Sequence, residues 1–208
     1  MAAPTYTLAH PTTPAYRTSN WKLSRLVGVS ESPFTGAQQV YEHDYALWTA
    51  TLSLPPMLRA QAGDWTAFFM KLHGRRGTFL LSDPDAKSPR GSITGSVTVS
   101  SPISVGDFTI ALATSNNSAT GIFKAGDYIQ LGSGASAKLY MIVDDANSNS
   151  SGIVSVNVEP KIKTAASAGA AVVYSNPVGL FRMENNDLGW DADHVSRYGI
   201  SFACIEAF

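Results

Sequence analysis

Cysteine is nearly absent from this chain: Cys204 is the only thiol in 208 residues. One thiol forms no intramolecular disulfide, and the same count excludes a zinc centre built on cysteines. Its place in an apolar run predicts a buried, structural side chain. Charge is scarce as well. Asp, Glu, Lys and Arg make up 15% of the residues, where roughly a quarter is usual for a soluble domain. A surface short of charge fits one that is largely covered by neighbours. The net charge of −1 lacks the basic footprint with which a general nucleic-acid binder recruits phosphates, so no direct nucleic-acid binding is expected. Long apolar runs are missing too. None approaches the roughly 18 residues of a membrane span, and no membrane insertion is expected. The opening residues Met1, Ala2, Ala3, Pro4, Thr5 and Tyr6 show neither the basic nor the apolar region of a signal peptide. That predicts a protein made and kept on the cytoplasmic side of its producer.

Catalytic signatures are absent in the same way. Neither a G-x-S-x-G elbow nor a G-x-x-x-x-G-K-[ST] phosphate loop occurs. Gly132, Ser133 and Gly134 fall between two predicted strands with no helix to follow, so they read as a turn. His43 and Asp44 offer half of a triad, but no marked nucleophile accompanies them; a strand end with two polar residues is the simpler reading. Asp187, Asp191 and Asp193, in the acidic segment 184–194, supply oxygen ligands without the spacing of a calcium loop. A polar hairpin loop explains them with less, and metal binding there stays open at this point. Asp144, Asp145, Asn147 and Asn149 read the same way. No catalytic residue, metal or cofactor is therefore assigned, and no enzyme activity is expected. One basic cluster stands out: Lys71, His73, Arg75 and Arg76. Cations suit a helix C-terminus, and as a functional site this cluster is a candidate subunit interface.

What the chain does contain is strand pattern. Pro4, Pro11 and Pro14 make the first twenty residues an extended arm. Strands are predicted at 21–29, 38–43 and 45–54, with turn residues at 30–36. The third shows the clearest alternation: Trp48, Ala50, Leu52 and Leu54 share one face, and Thr49, Thr51 and Ser53 the other. One helix is predicted at 59–73, where Trp65, Phe68, Phe69 and Leu72 form a single apolar stripe and Gly74 follows as a stop. A short buried strand follows at 77–82.

The texture then changes. From about residue 91 to 178 the chain is built of Ser, Thr, Ala, Gly, Asn and Val, and every Trp and His lies outside that stretch. Short strands are predicted inside it at 96–100, 108–113, 128–131, 138–143, 152–158 and 171–174, a spacing that suggests a small barrel or sandwich. The aromatic texture returns with strands at 180–183 and 196–208. The economical reading is nested: residues 1–90 and 179–208 form a β host domain, with 91–178 inserted as a second β-module. The expected fold is mainly β with one helix, a sandwich-like host carrying a small barrel.

In this order the segments resemble a known family. The first is Trp48–Pro56 with the helix from Asp64 and the strand from Gly77. The second is Phe123–Leu131, then Lys138–Val143, then Val156–Lys161. The third is Pro177–Met183, closed by the strand from Tyr198. Together the chain resembles the distal tail proteins of long-tailed siphophages, in the variety with an OB barrel inserted in the N-terminal belt domain. The resemblance implies a virion structural protein at the distal end of the phage tail, assembled in the host cytoplasm. It implies a homo-hexameric ring that joins the tail tube protein to the tail-tip (baseplate) hub proteins, and it carries no catalytic residue. The alternative function is a carbohydrate-binding module contacting a host-surface glycan. For that role the barrel's aromatics are Phe108, Phe123, Tyr128, Tyr140 and Tyr174, and most fall at strand positions that look buried. A cell-wall hydrolase is a third class, for which only His43 and Asp44 offer themselves.

Overall fold

The computed structural model describes residues 6–208, and they divide between two β-structures of different design. The elements in order are β1 (Thr7–Leu8), β2 (Thr18–Glu31), β3 (Gln38–Ser53), α1 (Arg59–Leu72), β4 (Thr78–Leu81), β5 (Val97–Val99), β6 (Thr109–Thr114) and β7 (Tyr128–Leu131). After these come β8 (Lys138–Ile142), β9 (Ile153–Glu159), β10 (Ala171–Val173), β11 (Gly179–Met183), β12 (Asp191–Ala192), β13 (Tyr198–Gly199) and β14 (Ser201–Glu206). A six-stranded sheet has the order β1-β4-β11-β14-β3-β2, and β10-β5-β6-β9-β8-β7 close into a barrel. Every barrel strand comes from residues 97–173, while the sheet draws on strands before and after that interval. The fold is mainly β with one helix, as the sequence pattern leads one to expect.

The sheet is mixed only through β1, which runs parallel to β4; its other pairings are antiparallel. Cross-strand partners Leu52 and Phe202, Ala50 and Cys204, and Phe181 and Phe79 place one apolar face together. Thr49, Thr51 and Ser53 point the other way and are partly or fully exposed. Among the described residues no second open sheet covers the apolar face. At one end α1 lies on it, with Phe69 and Phe202 ring centroids 4.9 Å apart and Phe68 and Phe79 5.6 Å apart. At the other end the barrel takes over. The Tyr128 ring lies 5.7 Å from Trp48, and Tyr128 and Leu139 belong to the sheet's own core. The helix buries the predicted stripe of Trp65, Phe68, Phe69 and Leu72. It stops one residue earlier than the glycine implies, since His73 takes the left-handed cap at φ 50°.

The proline-bearing arm packs on this layer from Tyr6 onward, whereas Pro4 falls outside the described residues. Tyr6 donates its hydroxyl to the Lys71 carbonyl at 2.7 Å, and the Trp65 indole donates to the Thr13 carbonyl at 3.1 Å. His10 stacks on Trp65 at 6.0 Å.

The barrel has its own apolar filling, led by Ile110, Leu112, Ile122, Phe123, Ile129, Tyr140, Ile142 and Val154. Its entrance is tied by Asp127, which is buried. That carboxylate accepts the backbone N–H groups of Arg90 at 2.6 Å, Gly91 at 3.2 Å and Lys124 at 2.8 Å. Gly91 allows the close approach. A Cβ there would meet the Ile122 carbonyl oxygen at 2.0 Å, well inside contact distance.

Most strand ends shift by one to three residues from the sequence pattern, and two departures are larger. Residues 38–43 and 45–54 form one strand, because the interruption at Asp44 is a bulge inside it. Between Arg25 and Val27 the register shifts, so that His43, Asp44 and Tyr45 stand opposite Leu26 alone. The closing run 196–208 breaks into β13 and β14 at Ile200, whose carbonyl accepts the Leu54 N–H at 2.9 Å.

Candidate functional site

Beyond the bulge, β2 and β3 leave the sheet and, among the described residues, pair only with each other. The strand β14 pairs with β3 no further than Thr49, yet the β2–β3 ladder runs on through Val27–Glu42, Gly28–Tyr41, Val29–Val40 and Glu31–Gln38. The result is a two-stranded arm, closed by a turn in which Gly36 N–H donates to the Ser32 carbonyl at 2.9 Å. Gly36 has φ +67°, a conformation that favours glycine. Alternation sets Val27, Val29 and Val40 on one face, bracketed by the Gln38–Glu31 hydrogen bond (3.2 Å) and by Glu42, 3.7 Å from Arg25. All three valines are exposed, Val29 by 60%. Leu26 and Tyr41 are also exposed, and Phe34 at the turn is 95% exposed. Among the described residues, the arm thus carries an uncovered apolar strip on a pair of strands with no third partner.

At the arm's root lies a cleft of about 270 Å³ between the arm and the barrel, lined by Arg25, Asp44, Leu47, Ile162, Lys163 and Phe208 among others. Ion pairs cross it. Arg25 reaches Glu159 at 2.8 Å, and Lys161 reaches Asp44 at 2.8 Å. Deeper in, Lys163 contacts Glu206, whose side chain is fully buried. The Lys161 hydrogen bond holds the Asp44 carboxyl below its ordinary 3.8, and the same bond raises the pKa of Lys161. Burial pushes the Lys163 and Lys138 pKa values down.

The residues singled out from sequence scatter over the molecule. Lys71, His73, Arg75 and Arg76 are exposed together at the end of α1, with the Arg76 guanidinium 5.9 Å from the Tyr6 ring and the Arg75 N–H donating to the Asn186 side chain at 3.2 Å. His43 and Asp44 line the cleft, whose lining contains no Ser, Thr or Cys among the described residues. Asp44 is engaged with Lys161. Asp191 begins a short hairpin, and Asp193 organises its turn by accepting the N–H groups of Val195 at 3.0 Å and Arg197 at 2.6 Å. Asp187 is exposed before it. In the barrel, Asp144 accepts from Asn157 at 2.8 Å and Asp145 from Lys124 at 2.7 Å. Asn147 accepts the Gly121 N–H at 2.6 Å, and Asn149 those of Ser151 and Ile153, both at 2.9 Å. Among the described residues no three His, Cys, Asp or Glu side chains converge as a metal site. Gly132–Gly134 form a turn leading into a short 3-10 segment, Gly134–Ser136. Cys204 is buried against the Ala50 carbonyl at 3.5 Å, and burial pushes its thiol up to about 12. Of the barrel aromatics, Phe123, Tyr128 and Tyr140 are buried, Tyr174 is partly exposed and Phe108 is 37% exposed.

Two features escaped the sequence reading, and each left a trace. Glu206 falls in phase with Phe202 and Cys204 on β14, so alternation alone marks it as a carboxylate on an apolar face. The arm's trace is Leu26, Val27, Val29, Phe34, Val40 and Tyr41 grouped about one turn, with no further strand to cover them.

No protein-family model matches the sequence, and no curated protein matches it.

Proposed function

We propose that this chain is a non-enzymatic structural subunit of a phage tail tip. In this reading copies of it close into a ring, hexameric by the family resemblance, that joins the tail tube to the tip hub. The observation that carries the reading is the β2–β3 arm. A two-stranded hairpin is marginal in water by itself, and an exposed apolar edge invites pairing with another chain. This arm presents Val27, Val29 and Val40 uncovered, with Phe34 at its tip. A neighbouring copy is the fitting cover, because an arm that reaches from one subunit onto a different surface of the next makes a head-to-tail contact, and such contacts form rings where the rotation from copy to copy closes. The ordered resemblance of the three segments and the low charge fraction support the same reading.

The carbohydrate-binding alternative draws less support. A sugar platform needs an exposed ring; Phe123, Tyr128 and Tyr140 are spent on the core, which leaves Phe108 and Tyr174 as the barrel's rings with exposed area.

The test uses the full chain in light scattering and negative-stain microscopy, beside a Val29→Lys, Val40→Lys double variant. Both positions are exposed, so the variant is expected to fold and melt like the parent. The parent is expected to form closed oligomers that the variant does not. A parent that stays monomeric at high concentration, or a variant that assembles equally well, overturns the assignment.

A further inference from the structure

Residues 159–163 alternate in an unusual way. Pro160 and Ile162 are buried, Ile162 as part of the barrel core. Glu159, Lys161 and Lys163 turn outward, and each reaches a different strand of the sheet: Arg25 on β2 at 2.8 Å, Asp44 on β3 at 2.8 Å, and Glu206 on β14. One short segment, rooted in the barrel at every second residue, is therefore fastened to the sheet at the residues between.

We propose that this segment is a latch that fixes the barrel at one angle to the sheet, and that the buried Lys163–Glu206 contact sets the angle. The three pairs are graded by exposure. Asp44 and Lys161 have side chains 78% and 40% exposed, so water and salt substitute for that contact with little loss. Arg25 with Glu159 is intermediate at 40% and 18%. Lys163 and Glu206 are 8% and 0% exposed, and removing either partner of such a pair leaves an uncompensated charge in the interior. Glu206 is poor in other partners. One oxygen also accepts the Trp48 N–H at 3.1 Å, while the other has no hydrogen-bond partner. The charged and titratable groups about it are Lys138, Lys163 and Tyr140, and Arg182 in turn acts on Lys138. Lys138, on β8, donates to the Ala207 carbonyl, and so adds a second barrel-to-β14 tie beside the first. The Lys163 N–H donates to the Tyr140 hydroxyl at 3.1 Å, which anchors the lysine's own backbone in the barrel. Hydrogen bonds also cross the junction, from the Trp48 indole to the Leu139 carbonyl at 3.0 Å and from the Leu180 N–H to the Ala137 carbonyl at 3.1 Å. The Lys163–Glu206 contact differs from these in burying charge on both bodies, so any rotation that parts the pair strands a charge in the interior.

The experiment measures distances between spin labels at Ala67→Cys on α1 and Ser150→Cys on the β8–β9 connection, both exposed positions. Cys204 is buried and stays unlabelled in the folded chain. With the latch intact, one narrow distance is expected. Glu206→Gln is expected to lose it to a broad distribution, while Asp44→Ala keeps it. If Glu206→Gln does not fold, Lys163→Met decides, with the same loss expected. A distribution as narrow as the parent's in the buried-pair variant, or equal broadening by Asp44→Ala, overturns the proposal.

Discussion

The barrel and the β2–β3 arm are built from similar strands and end in opposite conditions. In the barrel each strand has two neighbours and the ring is closed, so no edge remains and alternate side chains fill a common interior. The arm has two strands, two open edges and an apolar strip in water. The difference is closure rather than composition, since valine lines both. Val154 and Val156 are buried in β9, whereas Val29 and Val40 are exposed on the arm. A closed element holds its stability within itself. An open one leaves apolar surface in water, so the proposed subunit contact is to be sought on the arm and not on the barrel wall.

That contrast breaks first under truncation. Leu112 is fully buried on β6, and Leu112→Ala is expected to cost about 2–5 kcal/mol, the range for a leucine removed from a packed core. Val29→Ala on the arm is expected to stay within about 0.5 kcal/mol, as an exposed substitution does. Denaturant titration checks both. The four tryptophans lie outside 91–178 and Trp48 packs on the barrel's Tyr128, so their fluorescence reports the sheet and its junction with the barrel, while circular dichroism reports both β-structures throughout. A Val29→Ala loss as large as that of Leu112→Ala would mean that the arm is part of the folding core.

A smaller effect concerns the barrel's entrance. Asp127→Ala leaves the Arg90, Gly91 and Lys124 N–H groups without their acceptor, and is expected to cost about 1–3 kcal/mol. Asp127→Asn keeps an acceptor oxygen and should lose less. Hydrogen exchange at residues 90, 91 and 124 reads the result directly: faster exchange confined to those amides is the expected pattern. Unchanged protection would show that the entrance closes without the carboxylate.

How much of this was legible beforehand follows from what each element answers to. The barrel strands were readable because local alternation and turn residues suffice to define them; β7 is predicted and observed over the same four residues. The helix was readable from its stripe of Trp65, Phe68, Phe69 and Leu72. The long β3 was not, since a bulge at His43–Tyr45 looks like a strand end when only one chain segment is in view. The latch was less legible still. Lys163 and Glu206 are 43 residues apart, and nothing local to Lys163 distinguishes a buried lysine from a solvated one. Burial of a charge depends on which surface the barrel turns toward the sheet, a tertiary fact. The basic cluster at the end of α1 was chosen for its charge, yet the exposed apolar strip on the arm is the stronger mark of an interface.

The least of the expected effects lies at the latch's outer end, and it tests the grading there by pH. The Lys161 hydrogen bond lowers the Asp44 pKa in the folded chain below its ordinary 3.8. A carboxylate with a depressed folded pKa adds stability that is fully present above the unfolded value, and that stability is lost as pH falls through the folded one. The window therefore opens at about pH 3.8 and extends downward. Asp44 lies in water, so screening leaves little of the pair's attraction at physiological salt. Comparison of the parent with Asp44→Asn should show melting temperatures that differ slightly at neutral pH and low salt. The difference should vanish both in high salt and below the window. The buried Lys163–Glu206 contact lies beyond the reach of salt, so high salt should leave the spin-label distance of the parent unchanged. If salt broadened that distance, the exposed pairs and not the buried one would be holding the barrel in place.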